Sequence, residues 1–315
     1  MWYFAAALLL LLIMSLAAGY FMFMTVFDTS RKGGGDPDPD FIDSEGDAMR
    51  PTARKLYDFV GPLKEEFKKL PLKELTVTSF DGLKLKGYLL EGDPDEIVIC
   101  VHGYRSSMEN DFSDKVKIYR DRGSTVLFVN DRAHGNSEGR YLGFSELDRF
   151  DVAKWVDLMN SMYVNPRIYL HGVSMGGATV IHCADMGLKN VKGIIDDCGF
   201  DSIIGITKAQ IKNMFHIPYF PIGYCAWFWS KLIAKVSFTA SIGEECVKKT
   251  DLPILFIHGR EDHYVPCYMS EKMYEACASK KELHLVEGCG HGAAYMMITD
   301  EYTDAVNRML DGRIR

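Results

Sequence analysis

What the sequence lacks narrows the possibilities first. Its 36 lysines and arginines are scattered and outnumbered by 43 acidic residues, for a formal charge of −7. The clustered basic face of a nucleic-acid binder is therefore missing, and no nucleic-acid partner is expected. Eight cysteines occur without CxxC spacing and without the density of a stapled secreted domain. Cys100, Cys183, Cys198 and Cys289 fall in or beside apolar runs and read as buried free thiols, which suits a reducing compartment. No internal repeat is visible. The alternating carboxylates of Asp36, Asp38 and Asp40 are broken by prolines and lack a glutamate at calcium-loop spacing, so they carry no metal, and no cofactor is expected. What remains, 315 residues with 47% hydrophobic and 25% charged content, is enough for one large α/β domain plus an appendage.

The appendage is the first segment. Trp2–Phe27 contains no charged side chain and exceeds the roughly 20 apolar residues that a membrane helix needs. A cleavable signal peptide is the rival reading, with Ser15-Leu16-Ala17 as the small-residue site. Two facts weigh against it: no lysine or arginine precedes the apolar run, and cleavage would leave Tyr20-Phe21-Met22-Phe23-Met24 near an apolar mature terminus. An uncleaved transmembrane anchor over residues 1–30 is the expectation. Arg31 and Lys32 follow it, so the positive-inside rule favours a cytoplasmic domain, an external one being the alternative. Residues 31–48, with Gly33-Gly34-Gly35-Asp36-Pro37-Asp38-Pro39-Asp40, read as a flexible acidic linker. Residues 49–315 then form the globular domain.

Residues 49–70 are amphipathic and helical. Next come an apolar run at 74–80, an Asp81-Gly82 turn and strict alternation over 83–90, the pattern of a β-hairpin. Buried-strand candidates follow at 97–101, 125–130, 168–171, 191–196, 254–258 and 283–286, most of them separated by helical stretches. Such alternation predicts an α/β fold, a mostly parallel, doubly wound sheet, whose ligands bind beyond the carboxyl ends of the strands. Functional groups should therefore lie just after strands.

One segment meets that demand with chemistry attached. In His171-Gly172-Val173-Ser174-Met175-Gly176-Gly177 a GxSxG pentapeptide joins a buried strand to a helix, which places Ser174 on a sharp turn where a nucleophile belongs. The turn brings backbone close together, so side chains at 172 and 176 would clash. The helix start offers the Met175 N–H to a developing oxyanion. The pentapeptide alone is a loose pattern and needs partners.

Four more segments follow strands: Val101-His102-Gly103-Tyr104; Asp131-Arg132-Ala133-His134-Gly135-Asn136-Ser137-Glu138-Gly139; Ile257-His258-Gly259-Arg260-Glu261-Asp262-His263-Tyr264-Val265-Pro266; and Glu287-Gly288-Cys289-Gly290-His291-Gly292. With the serine turn, this set resembles the α/β-hydrolase superfamily, in particular its serine esterase and serine-aminopeptidase-like branch, over roughly residues 70 to 312. The resemblance implies an α/β-hydrolase fold with a helical cap inserted at about 200–250. It implies Ser174 as nucleophile, Asp262 as acid and His291 as base, with the backbone N–H groups of Tyr104 and Met175 forming the oxyanion hole. Asp131 and His134 become loop scaffold and His102 shapes its own loop. Glu261, Asp196 and Asp197 are the alternative acids; His258 and His263 flank the acid and could tune it, although a structural role is the default for each.

The inserted region holds Phe215, Tyr219, Phe220, Tyr224, Trp227, Phe228 and Trp229. It reads as an apolar substrate wall or a bilayer contact, or equally as cap packing on the core. The expected activity is a serine hydrolase of carboxylic esters or related acyl compounds acting on a small-molecule acyl substrate. Aminopeptidase-like or thioesterase activity, or a membrane-tethered binding protein of the same fold, are the alternatives. The membrane is the one macroscopic partner, through the N-terminal helix.

Overall fold

Eight apolar runs become one sheet. In the structure, a computed structural model that describes residues 2–30 and 52–314, the strands are β1 (Lys73–Thr78), β2 (Lys84–Leu90), β3 (Asp93–Val101), β4 (Ser124–Val129), β5 (Arg167–Val173), β6 (Val191–Asp197), β7 (Ile254–Gly259) and β8 (Lys281–Val286). Their spatial order is β1-β2-β4-β3-β5-β6-β7-β8. The β1–β2 and β2–β4 pairs are antiparallel and every other pair is parallel. The linker at 31–48 and the side chains of Met214 and Phe215 lie outside the described residues.

The helices are α1 (Trp2–Phe27), α2 (Ala53–Phe67), α3 (Met108–Phe112), α4 (Val116–Arg122), α5 (Asp148–Met162), α6 (Met175–His182), α7 (Ile203–Phe215), α8 (Ile222–Trp229), α9 (Gly243–Val247), α10 (Tyr268–Ala276), α11 (Ala294–Met297) and α12 (Thr299–Leu310). They cover both faces of the sheet, and the period of two in β3 shows how. Val98 and Cys100 pack with Phe112, Tyr119 and Tyr302 on one side. Ile97, Ile99 and Val101 pack with Trp155, Val156 and Met273 on the other. Burial on both faces explains why these strands read as continuous apolar runs. All eight cysteines are free thiols.

The chain winds outward from β3 in two directions, to β4 on one side and β5 on the other. That reversal falls at the carboxyl ends of β3 and β5, the place where doubly wound sheets hold ligands. The loop after β3 and the serine turn after β5 meet there. A third apolar cluster lies over this edge and joins Met175 and Ala178 on α6 to Phe144, Phe200, Ile203 and Phe238, and to Phe23 and Phe27 of α1.

The N-terminal helix is thus not free along its length. Residues 2–14 are exposed on every side, but Gly19, Phe23 and Phe27 are buried and Leu16, Ala18, Met22 and Val26 are partly so. Spacings of three and four residues mark one helical face docked on the protein. Sequence could not show this face, because a helix that is apolar all round carries no stripe to read.

Candidate active site

The serine turn is made by backbone constraint. Ser174 has φ 56° and ψ −115°, a conformation that ordinary side chains rarely occupy and that persists only where the surroundings impose it. Its N–H donates to the Asp197 carbonyl at 2.8 Å and its carbonyl accepts from the Ala178 N–H at 3.0 Å. A Cβ at residue 172 would fall on the Gly176 carbonyl, and one at residue 176 on the Val101 carbonyl. The two glycines are therefore required by close approach.

His291, on the loop after β8, reaches the serine. Its Nε2 lies 2.9 Å from Ser174 Oγ and its Nδ1 lies 2.6 Å from Asp262 Oδ2. Asp262, on the loop after β7, also accepts the N–H groups of Tyr264 at 3.0 Å and Val265 at 2.8 Å on Oδ1. Burial alone would raise this carboxyl, but the imidazoles of His291 and His258 outweigh it and hold the group well below the usual carboxylate range. It is ionised at neutral pH and fixes the orientation of the His291 ring.

His258 emerges as a buried partner of the acid. Its Nε2 stands 3.2 Å from Asp262 Oδ2 and 2.8 Å from the Val265 carbonyl, and its Nδ1 stands 2.7 Å from Ser270 Oγ. Two acceptors at Nε2 assign the proton to that nitrogen. Burial disfavours the charged ring, yet the Asp262 contact raises its pKa above the ordinary histidine value. The alternative acids have other partners. Glu261 accepts the Cys289 N–H at 3.0 Å, tying the acid loop to the histidine loop. Asp196 accepts the Gly199 N–H at 2.9 Å, and Asp197 accepts the Tyr302 hydroxyl at 2.8 Å.

The loop after β3 backs onto the serine: a Cβ at Gly103 would stand 3.2 Å from the Ser174 Cβ. Asp111 holds this loop by accepting the Gly103 N–H at 2.6 Å and the Ser106 hydroxyl at 2.7 Å. Its only sequence signal is an acidic residue in the first turn of a short helix, too common to single out. Tyr104 follows Gly103, and Met175 opens α6, so its N–H has no partner within the helix.

His102 and His134 stack edge to face at 4.7 Å. His102 Nδ1 donates to the Gly103 carbonyl at 2.9 Å while its Nε2 accepts the Asp131 N–H at 3.3 Å. His134 Nδ1 donates to the Arg132 carbonyl at 3.1 Å while its Nε2 accepts the Arg105 N–H at 3.1 Å. Burial lowers the pKa of both rings, that of His134 to about 3, so they are neutral. With Asp131 they form a group whose spacing a metal could use, but each Nε2 lone pair already serves a backbone N–H. Arg132 completes the scaffold through Asp151 at 2.7 Å and Asp81 at 2.9 Å.

Comparison with known proteins agrees with this architecture. Residues 92–198 match the family model described as serine aminopeptidase, S33, a span that includes the loop after β3 and the serine turn. The chain has the α/β-hydrolase fold. Its sequence is 27% identical to the uncharacterized protein YqkD of Bacillus subtilis over 78% of this chain and 82% of that one. It is 25% identical to the uncharacterized membrane protein YNL320W of Saccharomyces cerevisiae over 68% of this chain and 70% of that one. Among solved structures it resembles the Pyrococcus furiosus esterase Pf2001, with a TM-score of 0.65 and 22% identity over 79% of this chain and 95% of that one.

Proposed function

We propose that the protein is a serine hydrolase that cleaves carboxylic esters or related acyl compounds through an acyl-enzyme on Ser174. The observation that carries this reading is the continuous contact from Ser174 Oγ through His291 to Asp262, at 2.9 and 2.6 Å. A serine hydroxyl is a weak nucleophile until a base removes its proton. In the proposed cycle His291 Nε2 takes the Ser174 proton as Oγ adds to the acyl carbonyl. Asp262 stabilises the resulting imidazolium, and the Tyr104 and Met175 N–H groups receive the oxyanion. Collapse expels the alkoxide, which takes the proton from His291, and leaves the acyl group on Ser174. Water, deprotonated by the same His291, then adds to the acyl-enzyme and releases the carboxylic acid, returning the proton to Ser174.

The same geometry serves amides and thioesters, since all pass through a tetrahedral intermediate. The ester reading is favoured by the apolar neighbours of Met175, among them Leu142, Phe144 and Phe200. The reading includes attachment to a membrane by α1, which is 26 residues long with a mean hydropathy of 2.3 in its most apolar stretch. Arg31 and Lys32 after it favour a cytoplasmic domain. The test is Ser174→Ala: ester turnover should fall about 10⁴-fold or more and labelling by a fluorophosphonate probe should vanish with the circular dichroism spectrum unchanged. Persistent turnover in that variant would remove the assignment.

A further inference from the structure

A tether has only to be attached, whereas the last turn of α1 is built into the domain. An α-helix leaves its final four carbonyls without partners of its own, and in α1 each of them is taken. The Met24 carbonyl accepts the Asp28 N–H at 3.3 Å and the Phe27 carbonyl accepts the Leu142 N–H at 3.0 Å. The Val26 carbonyl accepts the Tyr104 hydroxyl at 2.9 Å, and the Thr25 carbonyl accepts Arg105 Nη2 at 3.0 Å. The same Nη2 donates to the Asp28 carbonyl at 2.9 Å, and a cation there suits the negative end of the helix dipole.

Two of these donors come from one loop, the loop after β3 that backs onto Ser174. Arg105 Nε also donates to the Tyr104 hydroxyl at 3.0 Å, so the two side chains grip the helix end as a unit. Arg105 has φ 50°, a conformation that persists only where the surroundings impose it. The loop is held from both sides: Asp111 takes the Gly103 N–H and the Ser106 hydroxyl on one, and α1 takes Tyr104 and Arg105 on the other. Beneath them Phe27 stands 5.1 Å from Phe144 and 5.9 Å from Phe238 between ring centres, and Phe144 stands 5.8 Å from Tyr104. The three phenylalanines are buried, and a filled contact passes on a shift of the helix rather than absorbing it.

Further contacts fix the helix itself. Asp28, buried at 1% exposure, pairs with Arg140 at 2.9 Å and forms an antiparallel bridge with Tyr141. The Thr29 N–H donates to the Arg140 carbonyl at 3.0 Å, which ends the helix. Higher up, a Cβ on Gly19 would overlap Cys225 and Ala226 of α8, and Trp229 Nε1 donates to the Leu16 carbonyl at 2.9 Å.

We propose that the end of α1 is a working part of the active site: its carbonyls hold the Tyr104 phenol and Arg105, which act as positioning residues, and the oxyanion loop is in register with Ser174 only while α1 is docked. This rests on the serine-hydrolase reading and adds a regulation of the same site, since displacing α1 switches turnover off.

The experiment uses the full chain in phosphatidylcholine nanodiscs, with p-nitrophenyl butyrate as the ester and a trifluoromethyl ketone as a probe of the oxyanion hole. Ser174 Oγ adds to the ketone carbonyl, His291 takes the hydroxyl proton, and the new oxyanion occupies the hole. Tyr104→Phe keeps the ring and the backbone N–H and removes the hydroxyl with its bonds to Val26 and Arg105. It should lower kcat about tenfold with KM within about twofold of the wild type, and weaken the ketone about tenfold. Asp28→Asn removes the ion pair to Arg140, leaves the loop sequence untouched, and should lower kcat about threefold. Amide hydrogen exchange reads the same contact without turnover: residues 103–106 should exchange faster in both variants while β7 exchanges as in the wild type. An unchanged kcat in Tyr104→Phe, a rise in KM at constant kcat, or faster exchange throughout the domain overturns the proposal and leaves the hydrolase standing. Absence of Ser174-dependent turnover in the wild type removes the hydrolase reading and this one with it.

Discussion

Around His291 the protein fixes atoms by hydrogen bonds: Ser174, His291, Asp262 and His258 form a chain with links of 2.9, 2.6 and 3.2 Å. Between α1 and α8 it fixes surfaces by shape, with Gly19 pressed on Cys225 and Ala226 and Phe27 stacked on Phe238 at 5.9 Å. Direction matters in the first region, because proton transfer fails if a lone pair points elsewhere. Contour matters in the second. If α1 sits in lipid, burying Phe23 and Phe27 brings little hydrophobic gain, and close packing with the polar caps from Tyr104 and Arg105 then holds it. The two regions meet at Tyr104, which follows Gly103 beside the serine and whose phenol holds the end of α1.

The largest test of this contrast removes direction and keeps shape. Asp262→Asn preserves the acceptor for Tyr264 and Val265 but cannot hold the His291 proton arrangement; kcat should fall about 10⁴-fold with thermal stability nearly unchanged. A loss below tenfold would mean the relay is not the engine of turnover. A smaller effect is expected where the regions join. Arg105→Gln removes a cationic cap from the Thr25 and Asp28 carbonyls, a bond class worth about 1.5–3 kcal/mol, and should lower kcat about tenfold with KM little changed. Arg105→Lys should restore much of it, and equal losses in both variants would argue against a positioning role.

The smallest effect concerns pH. Asp262, with its carboxyl held below the ordinary range, stabilises the fold above about pH 4 and loses that contribution as pH falls through its depressed folded value. Asp196 has the opposite sign. Burial raises it to about 7, so its stabilising proton is fully present below the unfolded carboxyl value and is lost as pH rises toward and past 7. Asp196→Asn keeps the acceptor for Gly199 and should gain on the wild type between pH 5 and pH 8, by on the order of 1 kcal/mol or about 2 °C in Tm. A difference in Tm that does not change with pH would contradict this.

Legibility in the sequence followed how local the cause was. The strand at 191–196 was readable because Ile194 and Ile195 are buried on opposite faces of the sheet, in the two separate clusters, which leaves no polar side to confuse the pattern. The serine turn was readable because Gly172 and Gly176 answer to backbone crowding only a few residues away. His258 was visible as a neighbour of the acid, but its contact with Asp262 depends on the curl of the loop after β7. Asp111 carried no signal, since its partner Gly103 lies across a loop and any acid in a helical first turn looks the same.

The sequence by itself determined the order of strands and helices, the residues at each strand end and the apolar length of α1, because period, turn chemistry and composition act over short stretches of chain. Only the tertiary structure decided which acid meets His291, and that one face of α1 belongs to the domain. Both depend on groups brought together from distant segments, and an apolar helix reveals its docking face only when a complementary surface such as α8 selects it.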